Sequence, residues 1–295
     1  MTAHADSTET RAPEAGYLGP RGTFTEEAAR RYMARTGDTA RLVPYDDIPT
    51  LLRAVDRGVL RWAVVPIENS IEGTVAITVD MLVHEITSPI VGEVMLPVRH
   101  HLLVPNALDR DHIEVVISHP QALAQCRRWL ERELPHVRRE TAPSTAEAAR
   151  QVAAGERPNA AAIANAAAAA LYGLHIAARD IQDSDDNMTR FVAVGGPVSE
   201  PTGNDKTSLV FAFPEDRPGN LYRALGVFAR RNINLTKLES RPAKKALGNY
   251  VFLIDMEGHQ DDPLVAEALA ELRAQCSLCK VLGSYPRSRP ETDGP

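Results

Sequence analysis

Short apolar runs alternate with helix-forming segments through the first two hundred residues of this 295-residue chain. The run WAVVPI at 62–67 has the composition of a buried strand, and HIEVVIS at 112–118 leads into Pro120, a favoured first residue of a helix. Thr23 and Glu26 form a capping box at the start of another helical pattern. Strands that alternate with helices are typical of a parallel or mixed sheet. This part of the chain is therefore expected to be an α/β unit.

A different order of elements follows residue 205. Six patterns succeed one another as β-α-β-β-α-β, at residues 207–213, 218–230, 233–241, 249–256, 263–274 and 280–285. This order is the split βαβ of a ferredoxin-like domain. We therefore expect five parts: a disordered arm at 1–15, an α/β part at 16–196, a linker rich in turn-forming residues at 197–205, a ferredoxin-like domain at 206–286 and a tail at 287–295.

The segment 160–170 is nearly all alanine, with Ile163 and Asn165 as its other residues. Alanine has the highest helix propensity, and Leu171 and Tyr172 add apolar mass. We predict a closely packed helix over this segment.

The net charge argues against some classes of binding partner, and the cysteine content indicates the cellular compartment. Lys and Arg number 33 against 39 Asp and Glu, which leaves a net charge of −6 and argues against a surface that binds nucleic acid or anionic lipid. No run approaches the ~18 apolar residues of a membrane span. The three cysteines are too few for a disulfide framework, so we expect a cytoplasmic protein in a reducing compartment.

Polar residues recur where the predicted strands end and helices begin. In an open α/β sheet such ends converge on a ligand crevice. Thr23 and Ser118 also suit the simpler role of helix caps, whereas Gln121 and Gln125 lie on one helical face. The segments concerned are 19–25, 68–70, 118–125 and 183–190.

No motif for a metal or a cofactor is found. GPRG at 19–22 lacks the glycine spacing of a nucleotide-binding loop. The pattern that begins at Asp183 lacks the glycine and the bidentate glutamate of a calcium loop. Cys276 and Cys279 have no second pair of ligands, so buried thiols are favoured over zinc.

Five motifs together resemble one known family. In chain order they are GPRGTFTEEAA, VVPIENSIEGTV, SHPQALAQC, DNMTRFVAVG and, after the linker, INLTKLESRP with NYVFLIDMEGH. They are similar to prephenate dehydratase with a C-terminal ACT regulatory domain, over about residues 16–286. The resemblance implies a bilobed catalytic part like a type II solute-binding protein, with a second lobe at about 101–176, followed by a ferredoxin-like βαββαβ ACT domain.

The resemblance also implies the reaction. A prephenate dehydratase converts prephenate to phenylpyruvate with loss of CO2 and water, in phenylalanine biosynthesis. Such an enzyme needs a donor for the departing hydroxide, an anchor for the side-chain carboxylate, and little positive charge beside the carboxylate that leaves. The sequence offers neutral hydroxyl and amide groups and no cofactor, which suits this chemistry.

Site residues follow from the matching motifs. Thr189 is assigned as donor to the leaving hydroxyl, Arg190 as carboxylate anchor and Phe191 as apolar wall. Strand alternation puts Arg190 on the opposite face from the other two, so a role in bracing the hinge stays open, as does the reading of the triplet as a plain strand start. The expected substrate contacts are Asn69, Ser118, Gln125, Thr23, Glu68, Ser70 and Gln121.

The ACT part implies an effector. The family recognises phenylalanine with two segments, which here are Gly219, Asn220 and Leu221 before Tyr222, and Glu239, Ser240, Arg241 and Pro242. The first departs from the family's Gly-Ala-Leu-Val pattern at two positions. ACT domains pair across subunits, so a homodimer or homotetramer is implied.

Three alternatives remain at the level of sequence. The chain has the parts of a non-catalytic bilobed ligand sensor, against which an intact Thr189 argues. If the chain is an enzyme, its substrate could instead be arogenate. It could also be a related enzyme that decarboxylates its substrate without forming an aromatic product. Assays of product formation from prephenate and arogenate distinguish these possibilities.

Overall fold

The computed structural model describes residues 12–105, 108–242 and 250–288. Most of the predicted arm and of the predicted tail lies outside these residues. The arm prediction is wrong at its end, because residues 14 and 15 belong to the first strand, where Ala15 is fully buried.

The first lobe is a mixed sheet flanked by helices. Its elements are β1 (Glu14–Leu18), α1 (Phe24–Thr36), β2 (Arg41–Tyr45), α2 (Ile48–Asp56), β3 (Trp62–Asn69), β4 (Gly73–Thr74), α3 (Ala76–His84), β5 (Ile90–Pro97) and the returning strand β11 (Met188–Val194). The strand order is β2-β1-β3-β11-β5, with β4 beside β3. β11 runs antiparallel to both of its neighbours. A strand that comes late in the chain therefore lies in the middle of the first sheet.

The second lobe is inserted between β5 and β11. Its elements are β6 (His101–Val104), β7 (Val115–Ser118), α4 (Pro120–Gln125), α5 (Arg127–Glu133), β8 (Arg138–Thr141), α6 (Thr145–Ala153), β9 (Ala160–Ala164), α7 (Ala166–Tyr172) and β10 (His175–Ala178). The strand order is β10-β6-β9-β7-β8. The chain enters this lobe through residues 98–100 and leaves it through residues 179–187, and a cleft lies between the two lobes.

The alanine-rich segment is not one helix as the sequence predicts. Residues 160–164 form β9, which is buried along its whole length between β6 and β7. Asn165 then caps α7, its side chain accepting from the Ala168 N–H, and Gly173 ends the helix in the left-handed conformation. Small side chains suit a central strand covered by helices on both faces, so the tertiary environment overrides the helix propensity of alanine.

The C-terminal unit has the predicted β-α-β-β-α-β order. It comprises β12 (Asp205–Ala212), α8 (Asn220–Ala229), β13 (Leu235–Pro242), β14 (Tyr250–Glu257), α9 (Pro263–Arg273) and β15 (Leu278–Pro286). The antiparallel sheet has the order β13-β14-β12-β15. Leu209 and Phe211 pack with both helices in one core. The ferredoxin-like prediction is confirmed.

The other face of this sheet packs on the first lobe. Val210, Leu253 and Leu282 belong to the same buried cluster as Ile90 and Val192 of the first lobe. The C-terminal domain therefore shares an apolar core with the lobe that carries β11. Within the described residues, no helix has both the length and the apolar character needed to cross a membrane.

Candidate active site

A cleft of about 390 Å³ lies between the two lobes, at the strand ends where the sequence predicts a crevice. The first lobe contributes the loop after β1, the start of α1 and the end of β3. The second lobe contributes the starts of α4 and α6. The polar side chains that line the cleft are Thr23, Thr25, Asp46, Asn69, His100, His119, Gln121, Gln125, Ser144, Thr145 and Thr189.

Thr189 and Asn69 form a hydrogen-bonded pair in the cleft. They are directly opposite each other on β11 and β3, and the Asn69 Nδ2 donates to the Thr189 Oγ at 2.9 Å. The Asn69 Oδ1 accepts from the backbone N–H groups of Ile71 and Glu72, which fixes the orientation of the amide. Because the Thr189 oxygen accepts from Asn69, its own proton is free to be donated to a bound molecule.

A chain of amides continues from this pair into the second lobe. Asn69 Nδ2 also donates to Asn187 Oδ1 at 2.8 Å, and Asn187 Nδ2 donates to Gln125 Oε1 at 3.2 Å. The same Gln125 oxygen lies 3.0 Å from His100 Nε2. Since a carboxamide oxygen is only an acceptor, this contact requires a proton on Nε2. The network joins both lobes around the cleft.

His100 is a neutral wall of the cleft. Burial lowers the pKa of its imidazole to about 4, against the opposing effect of the Gln125 hydrogen bond. The ring of Phe24 meets it edge-on, with 5.9 Å between centroids. At neutral pH His100 therefore brings no positive charge to the site.

The cleft lining contains no Lys or Arg among the described residues. The starts of α1 and α6, one on each lobe, bring partial positive charge to this lining, which also contains the acidic side chain of Asp46. Thr23 caps α1 by accepting from the Glu26 N–H, and Ser144 caps α6 by accepting from the Glu147 N–H. The first N–H groups of a helix have no acceptor within it and carry partial positive charge. Two helix starts of the kind that can bind an anion thus face one cleft from opposite sides.

Five of the sequence-predicted site residues line this cleft: Thr23, Asn69, Gln121, Gln125 and Thr189. Ser118 does not. It is fully buried, and its hydroxyl donates to the Ile163 carbonyl oxygen at 2.6 Å. The cap of α4 is His119 rather than Ser118. Ser70 is bonded to the backbone at 186 and 188, where it holds the segment that leads into β11.

Phe191 and Arg190 also lie away from the cleft. Phe191 is buried in the core of the first lobe with Tyr17 and Trp62, and the apolar wall is Phe24 instead. Arg190 points to the opposite face of the sheet, toward the C-terminal domain. Its guanidinium is not part of the cleft lining, and its contacts join the first lobe to the C-terminal domain, a role that differs from both the carboxylate anchor and the hinge brace considered from the sequence.

Arg190 forms a buried group with Glu93, Asp255 and Tyr285, and we call these four residues the interdomain cluster. Its guanidinium donates to Glu93 at 2.8 Å, to Asp255 at 2.5 Å and to the Tyr285 hydroxyl at 2.8 Å. Burial acts to lower the pKa of Arg190, but Tyr285, Asp255 and Glu93 raise it well above its usual value. Burial likewise acts to raise the pKa of Asp255, yet Arg190 keeps it below its usual range. Arg190 and Asp255 therefore form a buried ion pair, while burial raises the pKa of Tyr285, which stays a neutral phenol.

The predicted effector segments lie on the C-terminal domain. Gly219 precedes α8 with φ 82°, a conformation that favours glycine, while Asn220 donates to the Glu215 carbonyl oxygen. Leu221 packs against the domain core, and the neighbouring Tyr222 is 82% exposed.

Glu239, Ser240, Arg241 and Pro242 end the edge strand β13, where alternate residues face opposite sides. Glu239 and Arg241 turn toward the first lobe, where they bind Thr74 and Asp80 respectively. Ser240 and Pro242 are exposed on the other side. Only half of this segment is free to meet a ligand through its side chains.

Several residues of the site were not named from the sequence, among them His100 and Phe24 in the cleft lining and Asn187 in the amide network. His100 lies just after a strand, in the first connection between the lobes, and this position could have identified it as a site residue. Asn187 lies two residues before Thr189, within the DNMTRFVAVG motif and within the calcium-like pattern, but it is not among the predicted contacts. Its role depends on contacts with Asn69 and Gln125, which are distant in sequence.

Comparison with known families agrees with this arrangement. Residues 15–198 match the family model of prephenate dehydratase, and residues 209–274 match that of the ACT domain. A bifunctional chorismate mutase/prephenate dehydratase of Aquifex aeolicus is 45% identical over 92% of this chain and 73% of its own length. A prephenate dehydratase of Amycolatopsis methanolica is 45% identical, covering 92% of this chain and 88% of its own.

A solved structure extends the likeness to the whole fold. The crystal structure of a prephenate dehydratase from Arthrobacter aurescens in complex with L-Phe has a TM-score of 0.85 and 38% sequence identity. The similarity covers 96% of this chain and 93% of that one.

Proposed function

This chain belongs to the prephenate dehydratase family and carries an ACT domain, and we propose that it converts prephenate to phenylpyruvate with loss of CO2 and water. The reaction is a decarboxylating dehydration, so the enzyme is a lyase. Breaking the bond to the ring carboxylate releases CO2 and leaves its electron pair in the ring. That pair expels the hydroxyl group, which takes up one proton and departs as water, and the ring becomes aromatic.

Thr189 is the donor to the departing hydroxyl. Its oxygen accepts from Asn69, so its proton is available to a molecule bound in the cleft. A threonine hydroxyl does not titrate near neutral pH, and its contribution is a hydrogen bond that strengthens as negative charge develops on the leaving oxygen. This Asn69–Thr189 pair, set in a cleft without lysine or arginine, is the observation that carries the proposal.

The start of α1 or of α6 anchors the carboxylate that stays on the product. Helix N–H groups bind a carboxylate through fixed dipoles, so no full positive charge is required. This explains how the substrate is held although Arg190 is elsewhere. The carboxylate that is lost faces neutral groups such as His100 and Phe24, which do not stabilise it in the ground state.

An assay of purified protein with prephenate tests the function. We expect phenylpyruvate as the product, followed by its ultraviolet absorbance in alkali and by mass spectrometry. Arogenate serves as the comparison substrate, and turnover to phenylalanine at a higher kcat/KM than for prephenate would contradict the assignment. Binding of prephenate without any product would indicate a non-catalytic sensor.

Phenylalanine is the proposed effector, bound by the ACT domain at a junction between two copies of the chain in a homodimer or homotetramer. Support comes from the exposed outer side of β13 and from exposed side chains nearby in the same domain, among them Leu238 and Tyr250. The L-Phe complex of the Arthrobacter relative is consistent with this. Calorimetric titration with phenylalanine, together with the mass in solution, tests both parts.

A cytoplasmic location is part of the same proposal. The three cysteines are free thiols, and Cys126 is fully buried, where burial raises its pKa. Cell fractionation followed by detection of the protein tests the location.

A further inference from the structure

The neighbouring strands β3 and β11 carry two successive pairs of opposed residues, and the two pairs face opposite sides of the sheet. Thr189 is opposite Asn69, and the next pair along is Arg190 opposite Glu68. Side chains alternate along a strand, so the first pair faces the cleft and the second faces the C-terminal domain. Asn69 and Thr189 are therefore each adjacent in the chain to a residue, Glu68 or Arg190, that contacts the C-terminal domain.

Arg190 joins β11 to two strands of the C-terminal sheet. It donates to Asp255 on β14 at 2.5 Å and to Tyr285 on β15 at 2.8 Å. The Ser208 hydroxyl on β12 in turn bonds both Asp255 and Tyr285, at 2.5 and 2.6 Å. All of these side chains are buried, so β11 is fixed to the interior of the sheet.

Glu68 joins β3 to the edge strand of the same sheet. Lys237 on β13 lies 3.1 Å from Glu68 and donates to Thr74 on β4 at 3.1 Å. Thr74 donates to Glu239 at 2.5 Å. Thr74 is also the cross-strand partner of Glu68, so β13 contacts the β3–β4 hairpin at two points.

We propose that Glu68 and Arg190 are positioning residues through which the ACT sheet holds Asn69 and Thr189 in their hydrogen-bonded geometry. This inference rests on the proposed function and specifies how that site is controlled. A shift of the ACT sheet relative to the first lobe pulls on β3 and β11 at residues directly beside the pair. On β13, Glu239 contacts Thr74 of the first lobe, whereas Ser240 is exposed on the other side. One strand therefore has both a face that a ligand can reach and a contact with the hairpin that carries Asn69.

Lys237→Met tests the inference, with Lys280→Met as the matched control. Lys280 also connects the ACT sheet to the first lobe, because its Nζ donates to the carbonyl oxygens of Leu82 and Ile86 at 2.7 Å. Those carbonyl groups are on or just after α3, so neither hydrogen bond of Lys280 is made to β3, β4 or β11. We expect Lys237→Met to lower kcat roughly 3- to 30-fold with KM for prephenate changed less than threefold, and Lys280→Met to leave kcat within about twofold. Equal losses in both variants would overturn the inference in favour of general domain docking.

Arg190→Lys separates positioning from substrate binding. Lysine keeps the charge but does not reach Glu93, Asp255 and Tyr285 together. We expect a fall in kcat of roughly 10- to 100-fold at nearly constant KM. A rise in KM of tenfold or more with kcat preserved would show that Arg190 binds the substrate and would contradict the positioning role.

A readout without turnover keeps this inference distinct from the proposed function. The side-chain amide NMR signals of Asn69, assigned through an Asn69→Asp variant, report on its hydrogen bond to Thr189. We expect them to shift in Lys237→Met and to be unchanged in Lys280→Met. Unshifted signals in both variants would overturn the positioning inference, whereas absence of prephenate turnover by the unaltered protein would overturn the proposed function alone.

Discussion

Thr189 is a weak acid, and its usefulness depends on the direction of its proton. Asn69 supplies that direction by donating to the threonine oxygen, while backbone N–H groups fix the asparagine. His100 and Gln125 extend the network without adding charge. Individual residues of this site thus act through neutral hydrogen bonds of fixed orientation.

Removal of the Thr189 hydroxyl is expected to be costly for catalysis. Thr189→Val keeps the shape but loses the donor, and we expect kcat to fall by roughly 10²- to 10⁴-fold with a modest change in KM. Thr189→Ser retains the hydroxyl and much of the rate. Steady-state kinetics with prephenate measure both, and turnover near that of the unaltered enzyme in Thr189→Val would remove Thr189 from the mechanism.

Burial of His100 makes stability depend on pH. Its folded-state pKa of about 4 lies below the ordinary value of 6.5, so the unfolded chain binds the proton more readily. The neutral form of His100 that the fold requires costs nothing above pH 6.5, and the free energy of unfolding falls as the pH drops from 6.5 toward 4. Between pH 7 and pH 5 the loss is about 2 kcal/mol. Urea unfolding of His100→Gln is expected to show a correspondingly smaller drop over this range, and equal drops in both proteins would contradict it.

At the level of elements, β9 shows how the environment selects between helix and strand. Five small or β-branched residues form the middle of the second sheet, and Asn165 separates them from the helix that follows. At the cleft, the starts of α1 and α6 contribute backbone N–H groups that carry partial positive charge. The lobes are thus built so that backbone groups, more than charged side chains, define the site.

The strand assignment predicts how two alanines tolerate enlargement. Ala162 on β9 is fully buried, whereas Ala167 on α7 is exposed. We expect Ala162→Leu to lower the free energy of unfolding by about 1–3 kcal/mol through overpacking. Ala167→Leu, the matched control, should change it by less than about 0.5 kcal/mol. Chemical denaturation measures both, and similar effects of the two substitutions would contradict the assignment.

In the whole molecule, the catalytic part and the ACT domain are not independent. They share an apolar cluster and the buried interdomain cluster. The backbone of β15 also approaches the first lobe closely: a Cβ added at Gly283 would lie 2.0 Å from the Ile90 carbonyl oxygen. The linker-like composition of 197–205 would suggest separable parts and an active protein truncated near Val198, but the packing argues against this.

Truncation after Val198 is therefore expected to destabilise the catalytic part. The cluster around Ile90 and Val192 loses Val210, Leu253 and Leu282, and burial of one aliphatic side chain contributes about 1.5–3 kcal/mol. We expect the free energy of unfolding to fall by about 3 kcal/mol or more and basal kcat to fall with it. Truncation after residue 288 serves as control. A protein ending at Val198 with the stability and kcat of the full chain would contradict this interpretation.

Much of the fold was readable in the sequence, because local patterns determine it. The β-α-β-β-α-β order, the capping residues Thr23 and Ser144, and Pro120 at the start of α4 all follow from short-range preferences. The motif around Thr189 identified the family and the chemical type of the site. These features depend on residues that are neighbours in the chain.

The tertiary structure decided what depends on distant residues. Sequence patterns do not state whether 160–164 is a helix or a central strand, because burial between two other strands overrides propensity. They also do not show what Arg190 binds, since Glu93, Asp255 and Tyr285 come from three separate strands. A buried arginine is stable only where folding brings its counter-charges together, so its role became visible only with the partners in place.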